Sequence, residues 1–327
     1  MGYANRPLVV GEIMSSEPRR LSIYSDGTDH QYSQFVSPLL THLERTKDVL
    51  IHTSTYLVFI AMVQVATVMA ALSIEPNPAL AIIGLVTFAV YMGDRIADVD
   101  TDEVSNPGQS SFVRRHESVL SVLTAAAYGL AIAISVLGGP VALGVTLIPG
   151  AFWVLYASDW LPTIGSYFKR LKEILVVNSV IVALAWAISL VFLPLAFADA
   201  AFTPVAAVIF FYYFLDTFVN TEIPNVNDVE ADEAIGVSTL PVVFGVDRTR
   251  QIAYGLDIVL VGFVVFAYLR GLLGSILTLA ILVGLGYALV LAAFVGRTEH
   301  ESRLGIAGEA KHLVVMAVIL ALTAGGF

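Results

Sequence analysis

Nine apolar stretches of bilayer-spanning length recur along this 327-residue chain, and no other feature limits its fold so severely. They fall at 49–73, 79–97, 118–138, 141–158, 174–197, 203–221, 251–270, 272–296 and 312–327. About 20 apolar residues in a helix cross the hydrocarbon of a bilayer, where the backbone must satisfy its own hydrogen bonds, so each run reads as a transmembrane helix. Hydrophobic residues make up 57% of the chain and charged residues 13%, against roughly 45 to 50% and 25% in soluble domains. The expected fold is an all-α integral membrane protein, a bundle of about nine helices over residues 49–327. Residues 1–48 read as a polar, mostly irregular tail, with Pro7, Pro18 and Asp26-Gly27 breaking any period and a short surface helix at Leu43–Lys47. The tail has no apolar segment with a cleavage site, so no cleavable signal peptide is expected.

Charge fixes the orientation. With nine spans, every Lys and Arg except Arg270 falls on one side, once Arg95 at a helix end is counted with its loop. The positive-inside rule makes that side cytoplasmic, in a multi-pass protein of the cell membrane with its N-terminus inside. The net charge of −10 speaks against a nucleic-acid partner, because phosphate backbones need clustered Lys and Arg. Cysteine is absent, which excludes disulfides and thiolate chemistry. No Walker A loop, H-E-x-x-H or G-x-S-x-G is present, so nucleotide hydrolysis, zinc proteolysis and serine-hydrolase chemistry have no residues to run on.

Two acidic stretches sit on the cytoplasmic side, each directly after an apolar run. The first is Asp94-Arg-Ile-Ala-Asp98-Val-Asp-Thr-Asp102, and the second contains Asp228-Val-Glu-Ala-Asp232. In a helix, residues four apart lie one above another, so each set would present a row of carboxylates. Like charges at that spacing destabilise a helix by about 0.2 to 0.5 kcal/mol per pair, and a hard divalent cation would offset them. Mg²⁺ takes one or two carboxylates and completes its octahedron with water and phosphate oxygens, so these rows read as landing sites for a metal-bound diphosphate; Mn²⁺ would serve as well.

The same face offers positive charge for a leaving diphosphate: Arg114-Arg115 beyond the first motif, and Lys169-Arg170-Leu-Lys172 before the fifth span. Arg115 and Lys172 stand beside the metal-site candidates. Asn178 and Asn220 near cytoplasmic span ends, with Asn225 beyond, would line the mouth of the site. Asp216 and Asp257 lie where hydrocarbon is expected, Asp257 one and a half turns into the seventh run, and such residues face a bundle interior, a cavity or a partner. Aromatic residues are dense near this face, among them Trp153, Tyr156, Tyr167, Phe168 and 210–214.

The paired motifs resemble those of the UbiA superfamily of intramembrane prenyltransferases, which carry N/D-x-x-x-D-x-x-x-D after the second helix and D-x-x-x-D after the sixth. Asp94, Asp98 and Asp102 match the first, Asp228 and Asp232 the second, and Gly236-Val-Ser-Thr-Leu-Pro241-Val-Val-Phe-Gly245 follows much as in that family. The family's Y-x-x-x-K element has no strict match, since Tyr167 precedes Lys172 by five positions. The resemblance implies two pseudo-repeats around a central cavity open to lipid. It also implies Mg²⁺-dependent transfer of an isoprenyl group from its diphosphate to a lipophilic acceptor, such as a quinone precursor, a lipid or a carotenoid. The aspartates would hold metal, with Arg115, Lys172 and Tyr167 assisting the diphosphate. A secondary transporter is the competing reading, but its ion sites belong near the midplane at broken helices, whereas these aspartates sit at helix ends.

Overall fold

The computed structural model describes residues 50, 52–100, 103, 106–157, 177–298 and 301–326. In chain order the helices are α1 (Thr55–Ala71), α2 (Ala79–Ala97), α3 (Pro107–Ser135), α4 (Gly139–Ala157), α5 (Val177–Phe197), α6 (Pro204–Asn225), α7 (Val229–Ile235), α8 (Leu240–Phe244), α9 (Val246–Leu269), α10 (Ser275–Ala292) and α11 (Glu301–Ala324). Nine of them are long, α7 and α8 are short, and no strand occurs among the described residues. Among the described residues, seven segments are long and apolar enough to cross a membrane. One of these, Pro107–Trp153, joins α3 and α4 through the 3₁₀ turn Val136–Gly138, and α1, with 17 residues, falls just short.

Local chemistry sets the breaks. Thr203 caps α6 by accepting from the Ala206 N–H at 3.2 Å, with Pro204 in the first turn where its missing donor costs nothing. Asn77 accepts from the Ala79 N–H at 3.1 Å and donates to the Pro194 carbonyl at 3.1 Å, tying the start of α2 to the end of α5. The turn between α3 and α4 needs Gly139, whose φ is 80°.

Each long helix packs on the next, and α11 returns to α1, so the nine close into a ring; α6 touches both α9 and α11. Lipid tails are as apolar as leucine, so these contacts rest on close packing through small residues. Gly150 seats the Tyr128 ring, and a Cβ at Gly284 would lie 2.5 Å from Val315 Cγ2. Successive packed helices alternate in direction. The C-terminal ends of α2 and α6 therefore share one end of the bundle with the N-terminal ends of α3, α9 and α11.

At that end four helices overrun their apolar stretches, α9 among them, which begins at Val246 instead of 251. α3 begins at Pro107 instead of 118, α6 continues to Asn225, and α11 begins at Glu301 instead of 312. Hydropathy marks the depth of hydrocarbon, whereas a helix continues while its backbone bonds are satisfied. Two cations assigned to loops are thereby moved inside. Arg250 is a buried α9 residue donating to the Val295 carbonyl at 2.9 Å and pairing with Asp247, and Lys311 is buried ten residues into α11. Asp257 lies eleven residues into α9, about three turns and twice the expected depth.

Candidate active site

The first acidic stretch is not one helical row. α2 stops at Ala97, Asp98 is its C-cap with φ −101° and ψ 16°, and residues 98–100 turn away. The negative end of a helix dipole disfavours a run of carboxylates, so the helix ends where Asp98, Asp100 and Asp102 begin. Asp94 thus lies in the last turn, half-buried, and Asp98 is exposed one residue past it, their backbones still joined by the Asp98 N–H to Asp94 carbonyl bond at 2.8 Å. Beyond, Asp100 and Glu103 both pair with Arg114 on α3, at 2.7 and 2.6 Å, folding the loop onto that helix. Arg114 is taken up by that pairing, while its neighbour Arg115 is exposed on α3. Asp102, Tyr167 and Lys172 lie outside the described residues.

The second stretch does form the expected arrangement. Asp228 is the N-cap residue of α7 and Asp232 lies in its first turn, where the positive helix end favours acids. Asp232 accepts from Thr239 Oγ1 at 3.3 Å. Its carboxyl is pushed up to about 6, chiefly by burial, then by the charges of Asp228 and Glu222 against the opposing Thr239 bond. Gly236, at φ 76°, ends α7 by letting the Val237 N–H reach back to the Asp232 carbonyl at 2.9 Å.

Two of the three candidate asparagines are engaged within the wall. Asn225 donates to Glu222 Oε2 at 3.1 Å, and the buried Glu222 also accepts from Ser179 Oγ of α5 at 2.5 Å. Asn220 Oδ1 accepts from Lys311 Nζ at 2.8 Å. Asn178 is the second residue of α5.

Deeper between α6 and α11 lies a charged cluster whose α11 members the sequence reading missed. Lys311 Nζ is 2.5 Å from Asp216 Oδ1, and His312 Nε2 is 3.3 Å from Asp216 Oδ2, all three being at most 2% exposed. Tyr213 packs its ring 5.9 Å from that of His312 and donates to the Gln64 carbonyl at 3.2 Å, which carries the network to α1. Nearby, Asp257 borders a small cavity of about 20 Å³ between α6, α9, α10 and α11, with room for about one water. The available signal was spacing: Gly305, Gly308, His312 and Val315 recur at three- and four-residue steps, one face of a helix.

No group of three or more His, Asp or Glu side chains at metal-holding spacing occurs among the described residues. The aspartates are present as pairs of hard oxygen donors, the number that Mg²⁺ takes from protein. Asp228 and Asp232 feel each other's charge, the condition a divalent cation relieves. The donor chemistry therefore fits such an ion.

The family model for the UbiA prenyltransferase family matches residues 57–307, a span that contains both acidic motifs and every long helix but most of α11 and the first residues of α1. The chain belongs to the UbiA prenyltransferase family. It is accordingly a multi-pass membrane enzyme that transfers prenyl groups. Solved structures share the fold of this UbiA chain at low identity. A UbiA homologue from Aeropyrum pernix K1, without ligand, superposes with a TM-score of 0.63 at 16% identity, covering 81% of this chain and 97% of that one. A homologue from Archaeoglobus fulgidus bound to GPP and Mg²⁺ gives 0.58 at 17% identity, covering 84% and 99%. A digeranylgeranylglyceryl phosphate synthase gives 0.56 at 15% identity, covering 85% and 98%. None of the curated proteins compared matches this UbiA chain.

Proposed function

We propose that this enzyme transfers an isoprenyl group from a Mg²⁺-bound isoprenyl diphosphate to a lipophilic acceptor of quinone-precursor, lipid or carotenoid type, inside the membrane. The observation that carries the reading is the gathering of two aspartate pairs, Asp94 with Asp98 and Asp228 with Asp232, at one end of a closed helical ring. These four, with Asp102, are the residues that would hold the metal, Mn²⁺ substituting for Mg²⁺. When bound, the cation neutralises the diphosphate and stabilises the charge that develops as the allylic C–O bond breaks.

The protein's own groups do the rest. Arg115, Lys172 and Tyr167 meet the departing diphosphate oxygens, a guanidinium binding two at once and an ammonium acting as a point charge. Asn178 lines the entrance, while Asn220 and Asn225 hold the wall by fixing Lys311 and Glu222. Interior rings such as Tyr91, stacked on Trp186 at 5.9 Å, exclude water and turn their faces to the allylic cation. The site opens to the cytoplasm, the side to which basic residues assign it. Of the buried charges that would suit a transporter, Lys311 and Asp216 are spent on each other.

Purified protein given labelled geranylgeranyl diphosphate and a membrane lipid extract tests this. Labelled lipid product should form with Mg²⁺ or Mn²⁺, stop in EDTA, and fail to form in a folded Asp228→Ala variant. Undiminished turnover in EDTA would overturn the reading.

A further inference from the structure

Asp257 is 1% exposed, and its Oδ1 has no hydrogen-bond partner among the described residues. The oxygens of Asp216 at least face Lys311 and His312 across ion pairs, whereas no ion pair engages Asp257 there. A carboxylate oxygen stripped of water and left unpaired is costly, so native structures keep few of them without an occupant nearby. Space for one is present. Asp257 borders the cavity between α6, α9, α10 and α11, whose volume of about 20 Å³ takes one water-sized molecule.

The sequence of α9 shapes that cavity. Arg250, Ala253 and Asp257 follow at steps of three and four, so they share one helix face, and the small Ala253 leaves a gap between two charged side chains. Arg250 is turned to the Val295 carbonyl at 2.9 Å and to Asp247, which uses two of its five N–H donors. Thr249 Oγ1 donates to the Gly245 carbonyl at 3.0 Å and keeps its lone pairs. Asn220 and Glu222 of α6 complete the polar wall, and all five polar residues are at most 9% exposed. The wall thus offers both donors and acceptors. A metal ion suits it poorly, because Arg250 borders the cavity and Lys311 already holds Asn220 Oδ1 at 2.8 Å, and like charges in the interior repel with little screening. A water donates and accepts, and it needs only two to four such partners.

We propose that this cavity is a built site for one internal water, which donates to Asp257 Oδ1 and links α9 to the end of α6. The link bears on the second acidic motif. Asn220 and Glu222 lie in the last two turns of α6, which ends at Asn225, and Asp228 caps α7 directly afterwards. Glu222 itself fixes Asn225 at 3.1 Å and Ser179 of α5 at 2.5 Å. One water therefore ties Asp257 to the strut from which Asp228 and Asp232 project, which makes Asp257 a positioning residue.

The test uses full-length purified protein in detergent micelles and no turnover, so its outcome stands apart from the prenyl-transfer reading. Ala253→Val fills the cavity with carbon. Expelling a water that satisfies Asp257 leaves a buried oxygen unpaired, and the unfolding midpoint should fall by roughly 2 to 12 °C, whereas filling a dry cavity raises stability. Ala253→Thr has nearly the same shape with a hydroxyl for one methyl, and should recover part of the loss. In an Asp257→Leu background no oxygen awaits a partner, so Ala253→Val should there move the midpoint by less than about 2 °C. Amide exchange in Ala253→Val should quicken at the end of α6 and in α7 while α1 and α2 keep wild-type rates, a local readout that a global loss of packing would not give. An unchanged or raised midpoint in Ala253→Val would overturn the proposal. An equal loss in the Asp257→Leu background would do so too, since it would mark crowding, and unchanged exchange in α7 would overturn the link to the second motif. A midpoint that rises in sodium chloride but not in choline chloride of equal ionic strength, and only with Asp257 in place, would put a cation where the water is proposed and overturn it as well.

Discussion

Removing Lys311 exposes what the buried cluster contributes to the fold. In Lys311→Met the side-chain volume is nearly kept, but Asp216, with no exposure, loses the ammonium at 2.5 Å and retains only His312 at 3.3 Å. Asn220 Oδ1 loses its donor at 2.8 Å as well. Breaking a buried pair from one side costs about 3 to 5 kcal/mol, because the remaining charge stays desolvated, and salt cannot screen it there. At roughly 2 to 4 °C per kcal/mol, the unfolding midpoint should fall by roughly 6 to 20 °C. Lys311→Met with Asp216→Leu removes both charges, and such replacements are often neutral, so the double variant should recover most of the loss. Thermal unfolding in detergent micelles, followed by tryptophan fluorescence and far-ultraviolet circular dichroism, measures both. A Lys311→Met midpoint within about 2 °C of wild type would refute the reasoning. A double variant as unstable as the single would do so too, since the loss would then be one of packing.

Three further outcomes follow from the same geometry. Glu222→Gln weakens the charge-assisted bonds from Ser179 and Asn225 and should cost about 1.5 to 3 kcal/mol in the same unfolding assay. Gly284→Leu forces a side chain against Val315 between α10 and α11 and should cost about 1 to 3 kcal/mol, with Gly286→Leu, which meets nothing within 4 Å, as the control. In this cysteine-free chain Ser111→Cys, exposed near the start of α3, should react with a membrane-impermeant maleimide only from the cytoplasmic side, and labelling only from outside would reverse the topology.

Much of this was legible in the sequence because bilayer thickness is a ruler. The apolar runs located all nine long helices, and the Asp228-to-Asp232 spacing matched a real helical turn at α7. What resisted reading lay where polarity and helix part company. Lys311 sits in a polar segment that hydropathy assigns to a loop and His312 at the very edge of the last apolar run, yet α11 starts at Glu301 and carries both into the bundle. Their polarity is matched there by Asp216 and Asn220, about a hundred residues earlier, and no local window registers a partner so distant. The Asp94 row failed for the opposite reason, since spacing alone could not foresee that α2 ends at Ala97.

The central claim is that the two aspartate pairs serve one metal–diphosphate site, and a double-mutant cycle on turnover measures it directly. Residues that share one transition state are strongly non-additive. Asp98→Asn, Asp232→Asn and the double variant should each be assayed with labelled geranylgeranyl diphosphate at saturating Mg²⁺, after unfolding midpoints establish that all three are folded. The account predicts that the double variant loses about as much rate as either single one, because metal-assisted ionisation is already gone. A loss equal to the full product of the two single effects would mean that the pairs act independently, and would contradict it.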